Sequence, residues 1–282
     1  MKTLKFIALI LIPVVLVACT FTVNTPALTT GETQIFDVNE PLPDGDEVPT
    51  VVIEMGAGKL DLNGGSDQMI EGSITYNLAT WAPVVTREGN TGTISQKTTS
   101  TISIPEGQIK NQWDLQLGST PIALRLATGA YEGQLNLGGL AIAKLNITDG
   151  ASTSRVRFDE PNLTAMSELK YSTGASDVEL FGLGNAHVNK VDFIGGVGSY
   201  TLDFSGENTN DCEVSIKSGV SSVKIIIPEN ARAEVIINGE LNDVDLTGTW
   251  TVENNRYFSG DEGALIRITI EMAVGDLELV AE

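Results

Sequence analysis

The chain has 282 residues, 17 of them basic and 37 acidic, for a formal net charge of −20, and 41% of it is apolar. A surface this acidic repels nucleic acid and anionic headgroups. It does not imply disorder, because the apolar residues are plentiful and alternate along the chain.

The N-terminus reads as an export signal. Lys2 and Lys5 form a short positive stretch, and an apolar run follows from Phe6 to Val17, broken by Pro13. That run is shorter than the roughly 20 residues a spanning helix needs, and it suits the core of a signal peptide. Leu16-Val17-Ala18-Cys19 comes next and resembles the bacterial lipobox, which supplies small residues to a peptidase and a thiol to a lipid donor. Residues 1–18 are therefore expected to be cleaved and Cys19 to be lipidated. Lipidation attaches more than one acyl chain, as stable anchoring requires. Thr20 follows, so no aspartate retention signal stands there. Cleavage leaves 15 basic against 37 acidic residues. The chain's other cysteine, Cys212, then has no partner. It shares its strand phase with Val214 and Ile216, which predicts a small buried core residue.

Residues 19–32, rich in Thr, Asn and Pro, form a predicted flexible tether. A strand from Gln34 to Val38 opens the folded part, and residues 39–46 form a turn or loop. Residues 33–117 are expected to make one β domain. It enters a repeat pattern once, at Val51-Val52-Ile53-Glu54, Gly56-Ala57-Gly58 and Leu60-Asp61-Leu62. It then departs into longer alternating segments, Ile70 to Tyr76 and Thr101 to Ile104, expected to lie antiparallel in a sheet packed on the first coil.

Residues 118–282 carry the repeat itself. Gly129, Gly150, Gly174, Gly196, Gly219 and Gly239 each lead into a short alternating strand, at intervals of 21, 24, 22, 23 and 20 residues. A second strand precedes each glycine, as in Lys144-Leu145-Asn146-Ile147 and Val191-Asp192-Phe193. Two strands in about 22 residues leave no room for a helix, and this period signals a solenoid. The predicted fold is therefore all-β, a β-solenoid-like stack of two-strand coils with an antiparallel sheet in the N-terminal part. The glycines are expected to serve turns with positive φ or close backbone approach. Residues 247–263, with Trp250, Tyr257 and Phe258, interrupt the pattern and are expected to cap the last coils, with an aromatic contact surface as the alternative. It resumes at Leu265 to Ile270, Ala273-Val274-Gly275 and Leu277-Glu278-Leu279.

Several of these motifs carry a family resemblance. Glu54-Met55-Gly56-Ala57-Gly58-Lys59-Leu60, Asn63-Gly64-Gly65, Gly72 to Asn77 with Trp81 and Pro83, and Asn111-Gln112-Trp113-Asp114-Leu115 resemble the N-terminal domain of the toast-rack family of bacterial envelope proteins. Thr128-Gly129-Ala130, Leu137-Gly138-Gly139-Leu140 and Ser172-Thr173-Gly174-Ala175 resemble repeats of DUF4097-type adhesin candidates. They also resemble the C-terminal domains of LiaF-like cell-wall-active antibiotic response proteins. The resemblance covers nearly all of residues 33–282 and rests mostly on glycines. It implies an envelope role in adhesion or stress sensing and offers no catalytic residues. The chain lacks the N-terminal transmembrane helices of the LiaF-like pattern.

The residues themselves point away from an enzyme, a cofactor or a metal centre. The one histidine, His187, lies in Gly184-Asn185-Ala186-His187 and reads as a solvated turn. No nucleophile elbow or phosphate-cradling loop is present. Asp61, Glu179, Asp203, Asp245 and Glu278 occupy similar outward places in their repeats, which coil stacking could align into a ladder. Such a ladder reads as a solvated acidic face, with a polysaccharide-active β-helix enzyme as the competing reading. Lys144, Lys170, Lys217 and Lys224 interleave with it. The acidic face could hold calcium weakly, but the Gly-Gly-Xaa-Gly-Xaa-Asp nonapeptide is absent. The expectation is a non-enzymatic lipoprotein on the extracytoplasmic face of a bacterial membrane, presenting an adhesin-like binding or scaffolding module. Its partners would be the membrane, through Cys19, and an envelope protein or polysaccharide. An envelope-stress regulator is the other alternative.

Overall fold

A computed structural model describes residues 28–96, 105–207, 209–239 and 243–282. In chain order the first strands are β1 (Leu28–Thr29), β2 (Gln34–Glu40), β3 (Thr50–Ser66) and β4 (Ile70–Tyr76). A 3-10 turn, Ala79–Trp81, leads to β5 (Pro83–Glu88), β6 (Thr91–Gln96), β7 (Pro105–Glu106) and β8 (Asn111–Gly118). Five long strands follow: β9 (Ile122–Asn136), β10 (Ile142–Arg157), β11 (Leu169–Phe181), β12 (Lys190–Asp203) and β13 (Cys212–Ile227). The chain ends with β14 (Ala231–Gly239), β15 (Asp243–Thr247), β16 (Thr251–Glu253), β17 (Arg256–Ser259) and β18 (Ala264–Ala281). Sixteen of these strands join one open sheet, and β1 pairs separately with β7.

Each repeat is one long strand bent at its lead glycine. The two strands expected per coil are its two arms, and the ladder continues through the bend. From β3 through β9, β10, β11, β12 and β13 to β18 every neighbour is parallel and in register. One inward row runs Val51, Leu124, Leu145, Leu169, Val191, Val214 and Ile268. A second, on the other arm, runs Leu62, Leu135, Val156, Leu180, Leu202, Ile225 and Leu279. All of these residues are buried. Alternation with period two places them on one face, and stacking buries each against the coil on either side.

The bend explains the glycines. Gly56, Gly129, Gly150, Gly174, Gly196 and Gly219 form one column, and each from Gly129 onward faces the carbonyl of the glycine before it. A Cβ at Gly196 would lie 2.2 Å from the Gly174 oxygen. None of the six has positive φ. Close approach, and not a special dihedral, therefore selects glycine here. Gly239 does not join the column: it ends β14 opposite Met272, with φ at 132°.

Chain order and spatial order differ at both ends. Residues expected as a sheet packed on the first coil are instead hydrogen-bonded into the stack. β6 pairs parallel with the first arm of β3, and β8 parallel with its second arm, so together they make a composite coil. The antiparallel part continues outward from it, as β5 on β6 and as β4 then β2 beyond β8. The expected strand at 101–104 lies outside the described residues. At the other end β18 slots between β13 and a second composite coil made of β14 and β15. The apolar pattern accounts for that order. β18 carries Ile266, Ile268, Ile270, Met272, Leu277 and Leu279, all buried, whereas Leu246 of β15 is 42% exposed. Placing β18 inside therefore removes more apolar surface from water.

Candidate interaction surfaces

Outward side chains also stack in columns, and these decide the fate of the predicted carboxylates. Asp61, Glu179, Glu278 and Asp245 share one column of the second arm. Arg155 and Lys224 stand in the same column; Arg155 pairs with Glu179, and Lys224 reaches Glu278 at 2.9 Å. Asp203 falls two residues further along, at the end of β12, and accepts from the Ser205 N–H at 2.8 Å, so it anchors the turn that follows. A glycosidase opposes two carboxyl groups across a bound sugar. These carboxylates lie along one sheet face, with Arg155 and Lys224 among them.

The first arm carries a fuller version. Lys144, Glu168, Lys190, Glu213, Arg267 and Glu234 follow one another across the sheet with alternating sign. Lys144 meets Glu168 at 2.7 Å, and Arg267 meets Glu213 at 2.5 Å and Glu234 at 3.1 Å. The paired lysines hold the Glu168 carboxyl below its ordinary range. Exposed pairs of this kind each contribute little, about 0.2–1 kcal/mol, but a coil shifted in register would set like charges together. Of the other predicted lysines, Lys217 pairs with Glu271 at 2.8 Å, and Lys170 is half-buried in the column of Asn146 and Asp192.

Cys19 lies outside the described residues. Cys212 is buried at the start of β13, and burial pushes its thiol up to about 12. His187, expected in a solvated turn, is half-buried with φ at 49°. Its Nδ1 lies 3.1 Å from the Asn162 carbonyl, and its Nε2 is buried without a partner. The turn is packed against the preceding coil and not dissolved in water.

The sequence reading missed a buried polar hub at the bend. Asp149 continues the inward phase of Leu145 and Ile147, where an apolar residue is the rule, and that phase was the available signal. The Tyr171 hydroxyl donates to its Oδ2 at 2.7 Å, and the Thr173 hydroxyl donates to its Oδ1. Ser176 Oγ lies 3.2 Å from the same Oδ1. Tyr131 extends the network to Ser154 at 2.9 Å. Burial pushes the Tyr131 phenol up to about 12 and the Tyr171 phenol well above its ordinary value. The hub ties three successive coils together; buried polar groups satisfied in this way rigidify a core. Outside the same bend, Val197, Val220 and Val274 form an in-register exposed ridge.

The two ends of the stack differ. The N-terminal segment arrives at one of them, where the Gly31 N–H donates to the Asn77 carbonyl at 2.7 Å and Lys110 Nζ to Thr33 at 3.2 Å. A cleft of about 350 Å³ beside it is lined by Trp81, Ile109, Lys59, Lys110, Asn111 and Glu132, among others. At the other end the hairpin of β16 and β17 pairs with β14, and Trp250 and Tyr257 pack on the core. Trp250 Nε1 donates to the Thr247 carbonyl at 3.0 Å, fixing the exit of β15. Among the described residues β15 pairs with β18 alone, so its other edge is open.

Three solved structures are similar over most of their lengths. A cell-adhesion candidate from Clostridium sporogenes ATCC 15579 is 20% identical, covers 89% of this chain and 99% of its own, and has a TM-score of 0.44. An adhesin candidate from Bacteroides fragilis NCTC 9343 is 12% identical, with coverages of 90% and 100% and a TM-score of 0.39. A lipid-binding candidate from Parabacteroides distasonis ATCC 8503 is 13% identical, with coverages of 89% and 99% and a TM-score of 0.36. No curated protein matches the chain. The sequence profile of the N-terminal domain of toast_rack, DUF2154, matches residues 28–167 and 162–226, more than half of the chain. The parallel bent-strand stack and this match agree, and the chain belongs to the toast-rack family.

Proposed function

We propose that this protein is a lipid-anchored display module. The anchor at Cys19 holds one end of the solenoid near an extracytoplasmic membrane face, and the other end presents a binding surface to an envelope protein or polysaccharide. One observation carries this reading: the chain enters at one end of the stack, and the open edge of β15 lies at the opposite end. Nine coils separate them, counting the composite coil at each end, and eight steps of about 4.8 Å make a spacer of about 38 Å. The charged columns and the Asp149 hub lock neighbouring coils, which suits a rigid support. The lipobox-like Leu16-Val17-Ala18-Cys19 supplies the anchor.

The test compares the native chain with Cys19→Ala in living cells fed a labelled fatty acid. The native chain is expected to take up label, partition into detergent and be shaved from intact cells, or from spheroplasts if an outer membrane covers it. Cys19→Ala should lose the label and be released. Label uptake unchanged by Cys19→Ala, or a native chain that no external protease reaches, would refute the proposal.

A further inference from the structure

We propose that the open edge of β15 is a docking site for an extended peptide strand whose residues alternate basic and apolar. This deepens the display reading and rests on it. Among the described residues the outer edge has no strand partner, which is the geometry of β-strand addition; only the Val244 N–H, which donates to Asp243 Oδ1 at 2.9 Å, and the Thr247 carbonyl, which accepts from Trp250 Nε1, meet side chains there. Its side chains state what that strand must carry. The inward columns end at Val244 and Leu246, and Leu246 is left 42% exposed. The outward columns end at Asp243 and Asp245.

Charge selects the partner. Within the coils on either side of the middle, bases answer acids, as Arg155 does Glu179 and Lys217 does Glu271, while acid also meets acid at Asp61 and Asp114 of the far end. At β15 two columns end on adjacent acids, Asp276 with Asp243 and Glu278 with Asp245. Lys224, the nearest base in the second column, already meets Glu278 at 2.9 Å. Among the described residues no ion pair reaches Asp243 or Asp245. The surrounding residues 243–282 hold nine carboxylates against two arginines, Arg256 and Arg267, both engaged by glutamates. A strand with basic residues opposite Asp243 and Asp245 answers both acids, and apolar residues between them cover Leu246. A second copy of the chain fits poorly, because its own open edge at β2 carries Asp37 and Glu40.

The probe is a synthetic seven-residue peptide alternating lysine and valine, set against one alternating glutamate and valine, each titrated into the mature chain. Fluorescence anisotropy reads affinity, and amide exchange reads location. The lysine peptide is expected to bind and to slow exchange at residues 243–247. The double change Asp243→Asn and Asp245→Asn should weaken it about tenfold, since cross-strand pairs act singly and add. Asp61→Asn, in the same column at the far end of the stack, should leave it unchanged. Equal binding of both peptides, protection away from residues 243–247, or an equal loss in Asp61→Asn overturns the inference. Such a failure leaves the anchor test untouched, because that test scores label and surface exposure and not this edge.

Discussion

Replacing Gly196 with alanine tests the stacking at the bend directly. The added Cβ would stand 2.2 Å from the Gly174 carbonyl oxygen, against an ordinary contact of 3.4 Å or more. The two coils must therefore part by about 1 Å at the bend or tilt against each other, which strains the ladder and the buried rows beneath it. Overpacking of this size costs about 1–3 kcal/mol. Alanine also narrows the unfolded ensemble, which offsets about 0.4–1 kcal/mol. A net loss of about 1–2 kcal/mol lowers Tm by about 2–8 °C at this chain size. Gly56 supplies the control within the same column. Its neighbour is the Gln96 side chain at 3.7 Å, and its φ is not positive, so Gly56→Ala should be neutral or stabilising by up to about 1 kcal/mol. Thermal unfolding followed by far-UV circular dichroism reads both. Equal melting temperatures for Gly196→Ala and the native chain would refute the carbonyl-to-glycine packing. Equal losses in the two variants would show that the bend itself, and not the neighbouring coil, demands glycine.

Three further outcomes follow from the interior. Leu202 is fully buried between Leu180 and Ile225, so Leu202→Ala should cost about 2–5 kcal/mol in urea unfolding. The outward Thr201→Ala should stay within about 0.5 kcal/mol, and matching midpoints would invert the assigned faces. Leu202→Asp, which sets a charge among the stacked rows, should not fold. Asp149→Asn turns an acceptor-only carboxylate into an amide that faces the Tyr171 and Thr173 donors, with an expected loss of about 1–3 kcal/mol; an unchanged urea midpoint would show that the hub holds nothing together. Alkaline titration probes the same hub. Below pH 10 both folded and unfolded Tyr131 keep the phenol proton; between 10 and about 12 only the unfolded chain releases it. Stability should therefore fall across that window. Tyr131→Phe should flatten the fall, and an identical slope in that variant would remove Tyr131 as its source.

The sequence by itself determined the inside and outside of each coil. Period-two alternation around Leu145, Ile147, Val178 and Leu202 depends only on strand geometry, so it is legible in one dimension. The glycine period marks the bend for the same reason, since every coil must turn at the same height. Family membership was legible too, because the matching motifs are the glycines that this geometry requires.

Tertiary structure decided what depends on which coil lies beside which. β18 enters between β13 and β14 because its apolar residues gain more from burial on both sides than those of β15, a comparison between segments far apart in the chain. The Asp149 hub needs hydroxyls from Tyr171, Thr173 and Ser176 one coil away, and it turns an out-of-phase aspartate into a satisfied one. The predicted acidic ladder became a mixed column because register set Arg155 and Lys224 among the acids and moved Asp203 out. At β15 the ladder ends on acids that no base among the described residues answers, and that follows from β15 lying at an edge of the stack while well before the end of the chain.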